Sequence, residues 1–241
     1  MRLDKFLSLH SFGTRSEIKK MIAKGRVKVN GVIEKRPDIH IDEELDVVSC
    51  DDMIIRHSRY YYLMLHKPQG FVSATKDNQH TVLDLIDEDY ARLLHPVGRL
   101  DKDTTGLLLL TNDGNLTHRL LAPGKHVDKV YEVSLIKDLQ PEDVSLLEGG
   151  VVIEGEITLP AVVRFPDDNK RDHILLTIRE GRYHQIKEMM KKVGNEVKAL
   201  KRLSMGPVSL DPDLQEGSYR LLTEEEIRLL MEHTGLQREK L

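Results

Sequence analysis

The sequence has no tryptophan and a single cysteine, Cys50, among its 241 residues. A lone thiol cannot form a disulfide within the chain, so nothing favours the disulfide framework of a secreted domain. No apolar run approaches the roughly 18 residues that a membrane-spanning helix needs, and the opening MRLDKF lacks the apolar core of a signal peptide. We therefore expect a cytoplasmic protein.

Aromatic residues are also scarce, at 5%, but the 39% hydrophobic and 32% charged contents are those of a globular chain. The net charge of -4 argues against a nucleic-acid partner, although the charge is unevenly distributed. Residues 1–40 hold ten Lys and Arg against four Asp and Glu, a balance of +6, whereas the other 201 residues hold 26 against 36, a balance of -10. This asymmetry predicts a basic module attached to a different body.

The first 50 residues carry the signals of a compact unit of helices and a hairpin. Thr14 and Glu17 form a capping box at the start of a helix, and Gly25 is placed to end it. A short alternating strand follows, with an Asn-Gly hairpin turn at residues 30–31. We expect a linker near residues 51–59.

The polar side of this unit is predicted to be a cationic surface suited to phosphates. The alternative is an ordinary solvated face. The six cations expected on it are Arg15, Lys19, Lys20, Lys24, Arg26 and Lys28.

The remaining chain is predicted to be mixed α and β. Strands are expected at 60–65, 107–110, 129–133 and 173–178, and helices after 114, from Gly181 to Gly194, and from a capping box at Thr223 and Glu226.

Residues 97–114, VGRLDKDTTGLLLLTNDG, place three aspartates around four leucines. The pair Asp101 and Asp103 could belong to a metal-binding phosphotransferase loop. Such loops follow an apolar strand near the start of a chain, whereas this one precedes its strand. No other His, Cys and Asp cluster has the spacing of a zinc site, and His118, His126 and His184 are isolated in the sequence. We therefore expect no metal and keep a metal-dependent phosphatase as an alternative.

Asp101 could instead work alone. Arg99 and Lys102 flank it, and cations favour the ionised carboxylate. Farther along, EGRYHQIK at 180–187 places a Gly-Arg pair at a helix start, where a guanidinium and unpaired N–H groups can bind an anion. The alternatives are a turn capped by Asp101 and Asp103, and a solvated helix start.

Three segments together resemble the motifs of the RNA pseudouridine synthases. GRLDKDTTG at 98–106 resembles their catalytic loop, KVY at 129–131 their lysine-x-tyrosine motif, and IREGRYHQIK at 178–187 their third motif. Residues 1–58 resemble the small alpha-L RNA-binding domain shared with a small-subunit ribosomal protein. The fusion is similar to the RsuA/RluB/RluE/RluF branch, and other segments are most similar to RsuA members, which act on small-subunit ribosomal RNA.

The resemblance implies roles for six residues. Asp101 would attack the target ribose or take a proton from it, Tyr131 would stack on the uracil, and Arg182 would pair with Asp101. Arg99 would fill the stack after the uridine flips out, Leu176 would line the pocket, and Lys129 would contact substrate. Glu188 departs from the family pattern, because a basic residue is usual there.

The resemblance therefore implies an α+β fold: an alpha-L domain at 1–58 with its linker, then a catalytic domain with a mixed, mainly antiparallel sheet at 59–241. It implies an isomerase that converts a uridine of 16S ribosomal RNA to pseudouridine without cofactor or metal. The expected partner is that RNA or a small-subunit assembly intermediate, and the expected state is a monomer. A synthase acting on 23S ribosomal RNA, or a non-catalytic RNA-binding assembly factor, is the alternative.

Overall fold

The structure is a computed structural model that describes residues 1–9, 12–43, 45–55, 60–167 and 169–236. The chain divides into two compact units. The N-terminal unit contains Met1–Tyr60 with Ile86–Leu94, and the second, called the C-terminal unit below, contains residues 61–85 and 95–236. No helix among the described residues is long and apolar enough to cross a membrane.

The N-terminal unit packs two helices on a small antiparallel sheet. Its elements are α1 (Leu3–Leu9), α2 (Arg15–Ala23), β1 (Val27–Val29), β2 (Val32–Ile33), β3 (Val48–Cys50) and β4 (Met53–Ile55), with a 3-10 helix at Asp89–Leu93. The strands lie in the order β2-β1-β3-β4. Leu3, Phe6 and Leu7 of α1 meet Ile18 and Ile22 of α2 in the core, as the 3.6-residue spacing of these side chains requires.

Two local predictions for this unit are confirmed and one is wrong. The capping box is present, because the Thr14 side chain accepts from the Glu17 backbone N–H and Glu17 accepts from Thr14 in return. The turn at residues 30–31 joins β1 to β2 with positive φ at both positions. The expected linker at 51–59 is not all linker, because Met53–Ile55 pairs with β3; residues 56–59 lie outside the described residues.

The C-terminal unit is built on one large sheet and a separate two-stranded sheet at Val152–Ile153 and Glu156–Ile157. Its strands are β5 (Tyr62–Lys67), β6 (His95–Pro96), β7 (Thr105–Thr111), β8 (Lys129–Leu135), β9 (Val152–Ile153), β10 (Glu156–Ile157), β11 (Val162–Arg164), β12 (His173–Ile178), β13 (Val197–Met205), β14 (Val208–Ser209) and β15 (Tyr219–Leu221). Its helices are α3 (Gly114–Leu121), α4 (Pro141–Gly149), α5 (Gln185–Lys192) and α6 (Glu224–Thr234), with 3-10 helices at Val82–Leu85 and Pro123–Lys125.

The sheet has the order β11-β12-β8-β13-β7-β5-β15, with β14 paired to β13 and β6 to β7. Its described pairings are antiparallel except that of β7 with β13, which is parallel. The mixed, mainly antiparallel sheet that was expected is therefore confirmed. The topology brings the start of β7, the strand β8 and the end of β12 together, although they are far apart in sequence.

The parallel contact depends on Gly106. This residue has φ +101°, and a Cβ added to it would lie 2.2 Å from the Arg202 carbonyl oxygen on β13. A side chain at this position is therefore excluded both by the backbone conformation and by the neighbouring strand. The glycine lets the loop before β7 approach β13 closely.

The ends of the predicted helices are only partly right. The last helix begins at the expected capping box of Thr223 and Glu226. The helix expected from Gly181 begins instead at Gln185, because His184 before it adopts the left-handed conformation, with φ 49° and ψ 27°. Residues 181–184 thus form a turn that presents side chains before the helix starts.

Candidate active site

The loop that contains Asp101 is fixed from below by a buried lysine. Lys67 is fully buried at the end of β5, and its Nζ donates to the carbonyl oxygens of Thr104 at 2.9 Å, Pro68 at 3.0 Å and Lys102 at 3.4 Å. Burial lowers the pKa of Lys67 to about 8, although Asp103 and Asp101 partly oppose this shift. The ammonium thus ties residues 102 and 104, which follow Asp101 in the loop, to the end of β5.

A serine holds the loop from the other side. The Ser73 hydroxyl donates to the Leu100 carbonyl at 3.0 Å and lies 3.1 Å from the Leu100 N–H, which donates to it. The Gly70 N–H donates to the Lys102 carbonyl at 2.8 Å. The backbone on both sides of Asp101 is therefore held by hydrogen bonds, and its side chain is positioned rigidly.

Lys187 is the cation that contacts Asp101. Its Nζ lies 2.9 Å from Asp101 Oδ2 and 2.7 Å from Asp103 Oδ1. Burial lowers the pKa of Lys187, but the hydrogen bonds and charges of the two aspartates outweigh it, so the net shift is upward. Burial likewise opposes ionisation of Asp103, and Lys187 reverses that effect, so the pKa of Asp103 is lowered. The ammonium favours the charged form of Asp103 and contacts Asp101 at the same time.

This ion pair bears on the metal alternative. An ammonium bridging Asp101 and Asp103 occupies the position between carboxylates that a phosphotransferase metal would need, and it repels a cation. Among the described residues, no group of three His, Cys, Asp or Glu side chains is arranged to hold a metal ion. Asp113 is committed elsewhere: it caps α3 and accepts a 2.9 Å hydrogen bond from the Tyr62 hydroxyl.

A cavity opens beside the loop and brings distant parts of the sequence together. It is lined by Arg99, Leu100, Asp101, Thr104, Tyr131, Ile178, Gly181, Arg182, His184, Gln185, Ile186, Lys187 and Leu200. Four of the predicted site residues, Arg99, Asp101, Tyr131 and Arg182, are therefore on one cavity. Asp101 and Lys187 supply its charged wall, and Tyr131, Ile178 and Leu200 supply an aromatic and aliphatic one. Such a cavity can hold a flat, partly polar ring next to a carboxylate.

The expected pair between Arg182 and Asp101 does not form in this structure. Arg182 Nε donates to Glu180 Oε2 at 3.2 Å, and its Nη atoms donate to the backbone carbonyls of Glu156 and Ile157 at 3.2 and 2.8 Å. These acceptors pull the guanidinium toward the β9–β10 hairpin. Lys187, five residues farther along and inside α5, takes the place expected for Arg182.

Leu176 and Lys129 also lie elsewhere than expected. Leu176 pairs with Tyr131 across β12 and β8 but is fully buried in the sheet, and Ile178, two residues on, lines the cavity instead. The Lys129 ammonium is buried and donates to the Val127 carbonyl at 2.9 Å. Burial, reinforced by the nearby Arg202, lowers the pKa of Lys129 to about 8. Neither side chain is among those that line the cavity.

Sequence reasoning misses two residues of the site. Lys187 belongs to the third motif but receives no role from it, and His184 is isolated in the sequence. In the structure His184 Nε2 lies 3.6 Å from Asp101 Oδ1. The signal for Lys187 is its position in the first turn of an amphipathic helix, next to Ile186, which also lines the cavity. Nothing local could reveal that this turn faces a loop more than 80 residues earlier.

The six predicted cations of the N-terminal unit divide into two groups. Arg26 forms a two-pronged ion pair with Asp51, and Lys28 pairs with Asp52 at 2.5 Å. Arg15, Lys19, Lys20 and Lys24 are exposed on and just after α2, and no ion pair to them is found among the described residues. We call these four the α2 cations. The expected surface is thus partly neutralised by the two aspartates before β4.

Comparison with known proteins agrees with this geometry. Residues 61–192 match the family model described as RNA pseudouridylate synthase, and residues 1–47 match the S4 domain. The chain is 50% identical over 236 residues to a Bacillus subtilis protein named uncharacterized RNA pseudouridine synthase YtzG, covering 96% of this chain and 99% of that one. It is 41% identical over 230 residues to ribosomal small subunit pseudouridine synthase A of Escherichia coli K12, covering 94% and 98%.

A solved structure described as a pseudouridylate synthase has 40% identity and a TM-score of 0.68, covering 95% of this chain and 99% of that one. The match of the family model extends from the end of the N-terminal unit through the loop of Asp101 to the last residue of α5, Lys192. It therefore contains every charged residue described above at the cavity. With relatives that span nearly its full length, this chain belongs to the RNA pseudouridine synthase family.

Proposed function

We propose that this chain converts one uridine of 16S small-subunit ribosomal RNA to pseudouridine in the cytoplasm, and that Asp101 is the reacting carboxylate. The reaction breaks the N1–C1′ glycosidic bond, turns the uracil, and forms a C5–C1′ bond. The C5 proton leaves and N1 gains a proton, so the product is an isomer of the substrate. The observation that carries the proposal is the cavity that contains Asp101, Tyr131 and Lys187 together.

The roles of the residues follow from their places on this cavity. Asp101 acts on the ribose, either as nucleophile or as base, and Lys187 holds its carboxylate through a 2.9 Å ion pair. Tyr131 offers its ring to the uracil and can take part in removal of the C5 proton. Ile178 and Leu200 exclude water from the ring. Arg182 acts at a distance from the reacting atoms, by fastening the β9–β10 hairpin to the turn before α5.

The target base must leave its helical stack before it can enter the cavity, at a cost of a few kcal/mol. Arg99 is exposed at the cavity, and we propose that it fills the space that the uridine vacates. The α2 cations would supply salt-dependent contacts to phosphates that help offset this cost. The name of the Escherichia coli relative supports small-subunit RNA as the target, and we propose that the chain acts as a monomer.

The activity is tested by tritium release from ribosomal RNA labelled at C5 of uridine. The wild-type chain is expected to release tritium, and Asp101→Asn is expected to lose nearly all of this activity because the amide can neither attack nor take a proton. RNA binding by this variant should persist, since the side chain is nearly isosteric. Equal release by the two proteins would sink the assignment of Asp101.

The target RNA is tested by mapping pseudouridines in a strain that lacks the gene. We expect one position of 16S RNA to revert to uridine and to be restored by the wild-type gene but not by Asp101→Asn. A missing position in 23S RNA would instead support the alternative substrate. If the Asp101→Asn gene restored the growth of the deletion strain although no uridine was modified, a non-catalytic assembly factor would be favoured.

A further inference from the structure

Tyr183 is unusual among the aromatic residues of this chain. The sequence has seven tyrosines and four phenylalanines, and all eleven lie within the described residues. Only Tyr183 is exposed, with 77% of its surface open to solvent. Exposing a large ring costs free energy that burial would recover, so its placement next to the cavity calls for a cause.

The Tyr183 ring is stacked on a residue of the cavity. Its centroid lies 3.8 Å from that of the His184 imidazole, and the two planes differ by 22°. His184 lines the cavity, and its Nε2 lies 3.6 Å from Asp101 Oδ1. The stack therefore runs outward from the catalytic carboxylate: first His184, then Tyr183, then solvent.

The backbone that holds this stack is strained. His184 has φ 49°, which lies in the left-handed region that residues with a side chain seldom adopt because of steric strain. The helix α5 begins directly after His184, and the Glu188 N–H donates to the His184 carbonyl at 3.0 Å. Strained positions of this kind are concentrated at functional sites. Here the strain directs the imidazole toward Asp101 and leaves the tyrosine ring outside.

We propose that the Tyr183–His184 stack is a platform for an unpaired base of the substrate RNA that neighbours the target uridine. Proteins that recognise unpaired RNA stack bases on exposed aromatic rings, and each such contact contributes substantially to affinity. When the uridine enters the cavity, the adjacent nucleotide lies at the cavity mouth, where the outer face of Tyr183 is open. The inference rests on the proposed function, because it places the neighbour of a flipped uridine.

The kinetic test compares two variants of the full chain. Tyr183→Leu removes the ring but keeps an apolar side chain, whereas Tyr183→Phe keeps the ring. Tritium release from C5-labelled 16S RNA should show a KM about tenfold higher for Tyr183→Leu, with kcat within about twofold of wild type. Tyr183→Phe should behave as wild type, since stacking does not need the hydroxyl. Unchanged KM in Tyr183→Leu, or a defect in kcat alone, would overturn the platform.

A fluorescence test observes the stacking itself. An RNA hairpin containing the target uridine carries 2-aminopurine on its 5′ or its 3′ side, and the proteins carry Asp101→Asn so that the RNA is not modified. Stacking on a ring quenches 2-aminopurine, so one of the two labels should be quenched by proteins with Tyr or Phe at 183 and not with Leu. Equal quenching by the Tyr and Leu proteins at saturation would contradict the proposal.

The two tests separate this inference from the function beneath it. If wild type releases no tritium from any ribosomal RNA, the proposed function fails, and quenching of the same hairpins still decides whether Tyr183 receives a base. If wild type is active but neither KM nor quenching depends on the ring, the function stands and the platform fails. Thermal unfolding midpoints of the variants, expected to match wild type for so exposed a side chain, exclude misfolding.

Discussion

The two units of this chain use cations in opposite ways. In the N-terminal unit the α2 cations are exposed and have no carboxylate partner among the described residues. In the C-terminal unit Lys67, Lys129 and Arg202 are at most 7% exposed, and each donates to at least one backbone carbonyl. Exposed cations act on any nearby anion through water, whereas these buried cations act on fixed acceptors. We therefore propose that similar residue types serve binding in one unit and positioning in the other.

Lys187 stands between these extremes. Its side chain keeps 22% of its exposure, and its partners are two carboxylates rather than carbonyls. Its raised pKa, compared with the lowered values of Lys67 and Lys129, follows from that difference in partner. If the comparison holds, changes to Lys187 should affect turnover, changes to the α2 cations should affect salt-dependent binding, and changes to a buried lysine should affect stability.

Among the changes that test this comparison, the largest effect is expected for Lys187→Met. Asp101 loses a charge-assisted hydrogen bond, whose loss corresponds to about 100-fold in rate, so kcat for tritium release should fall by about that factor. Lys187→Arg should recover much of it. The matched control is Lys191→Met, which removes the exposed partner of Glu188 from the same helix and should leave kcat near that of wild type.

The measurement is single-turnover tritium release at saturating RNA, together with the salt dependence of binding. If removal of Lys187 left kcat unchanged and only reduced the dependence of RNA affinity on salt, Lys187 would act like the α2 cations, and the proposed difference between them would be wrong. A fall in kcat that is the same for Met and Arg would show that the shape of the lysine, rather than its charge, is what the site needs.

A smaller effect, of about tenfold in affinity, is expected from two of the α2 cations. Lys20→Gln with Lys24→Gln should weaken RNA binding and reduce the slope of log affinity against log salt by about 0.7 for each phosphate that the variant no longer neutralises. The control is Arg26→Gln with Lys28→Gln, which removes the same charge from residues already paired with Asp51 and Asp52. Binding titrations between about 0.05 and 0.2 M salt compare the two. Equal slopes in both double variants would remove the distinction between paired and unpaired cations.

The elements set by local chemistry could be predicted from the sequence. The capping box at Thr14 and Glu17 and the four-leucine strand at 107–110 are confirmed, because caps and buried strands depend on neighbouring residues. The order of the motifs placed Asp101 and Tyr131 on one site. The expected partner of Asp101 was wrong. Arg182 of the third motif was expected there, and Lys187 of the same motif is found instead.

Which of the two cations contacts Asp101 depends on packing between distant segments, which no local sequence pattern indicates. Lys187 and Asp103 are 84 residues apart in the sequence. The carbonyls that hold Arg182 away from Asp101 belong to residues 156 and 157 of the β9–β10 hairpin. The burial of Lys67 and Lys129 was missed for the same reason, because a lysine in a strand is ordinarily expected at the surface. A charged residue can be located by its motif, but its partner is decided by the fold.

The smallest effect on turnover and RNA binding is expected for Lys129, whose contribution should appear in stability, and the sign of that contribution can be derived from the pKa. The native pKa is about 8, and that of the unfolded chain is the ordinary 10.5. Below about pH 8 the lysine is protonated in both states, so it adds no pH dependence. Between about 8 and 10.5 the native protein loses this proton while the unfolded chain retains it, and stability rises with pH wherever the unfolded state binds more protons. The free energy of unfolding of wild type should therefore increase relative to Lys129→Met across this window.

The difference in free energy of unfolding between wild type and Lys129→Met cannot change by more than about 1.4 kcal/mol per pH unit. Urea unfolding of both proteins at pH 6, 7, 8, 9 and 10 measures it, and subtraction removes the titration of Lys67, which is common to both. A difference that stays flat from pH 7 to 10 would mean that the Lys129 ammonium keeps its proton and is not desolvated as its burial implies. Activity distinguishes Lys129 from Lys187. Because the Lys129 side chain does not line the cavity, Lys129→Met should have the same KM for RNA at pH 7 as wild type. A raised KM would instead support the substrate-binding role that its motif first suggested.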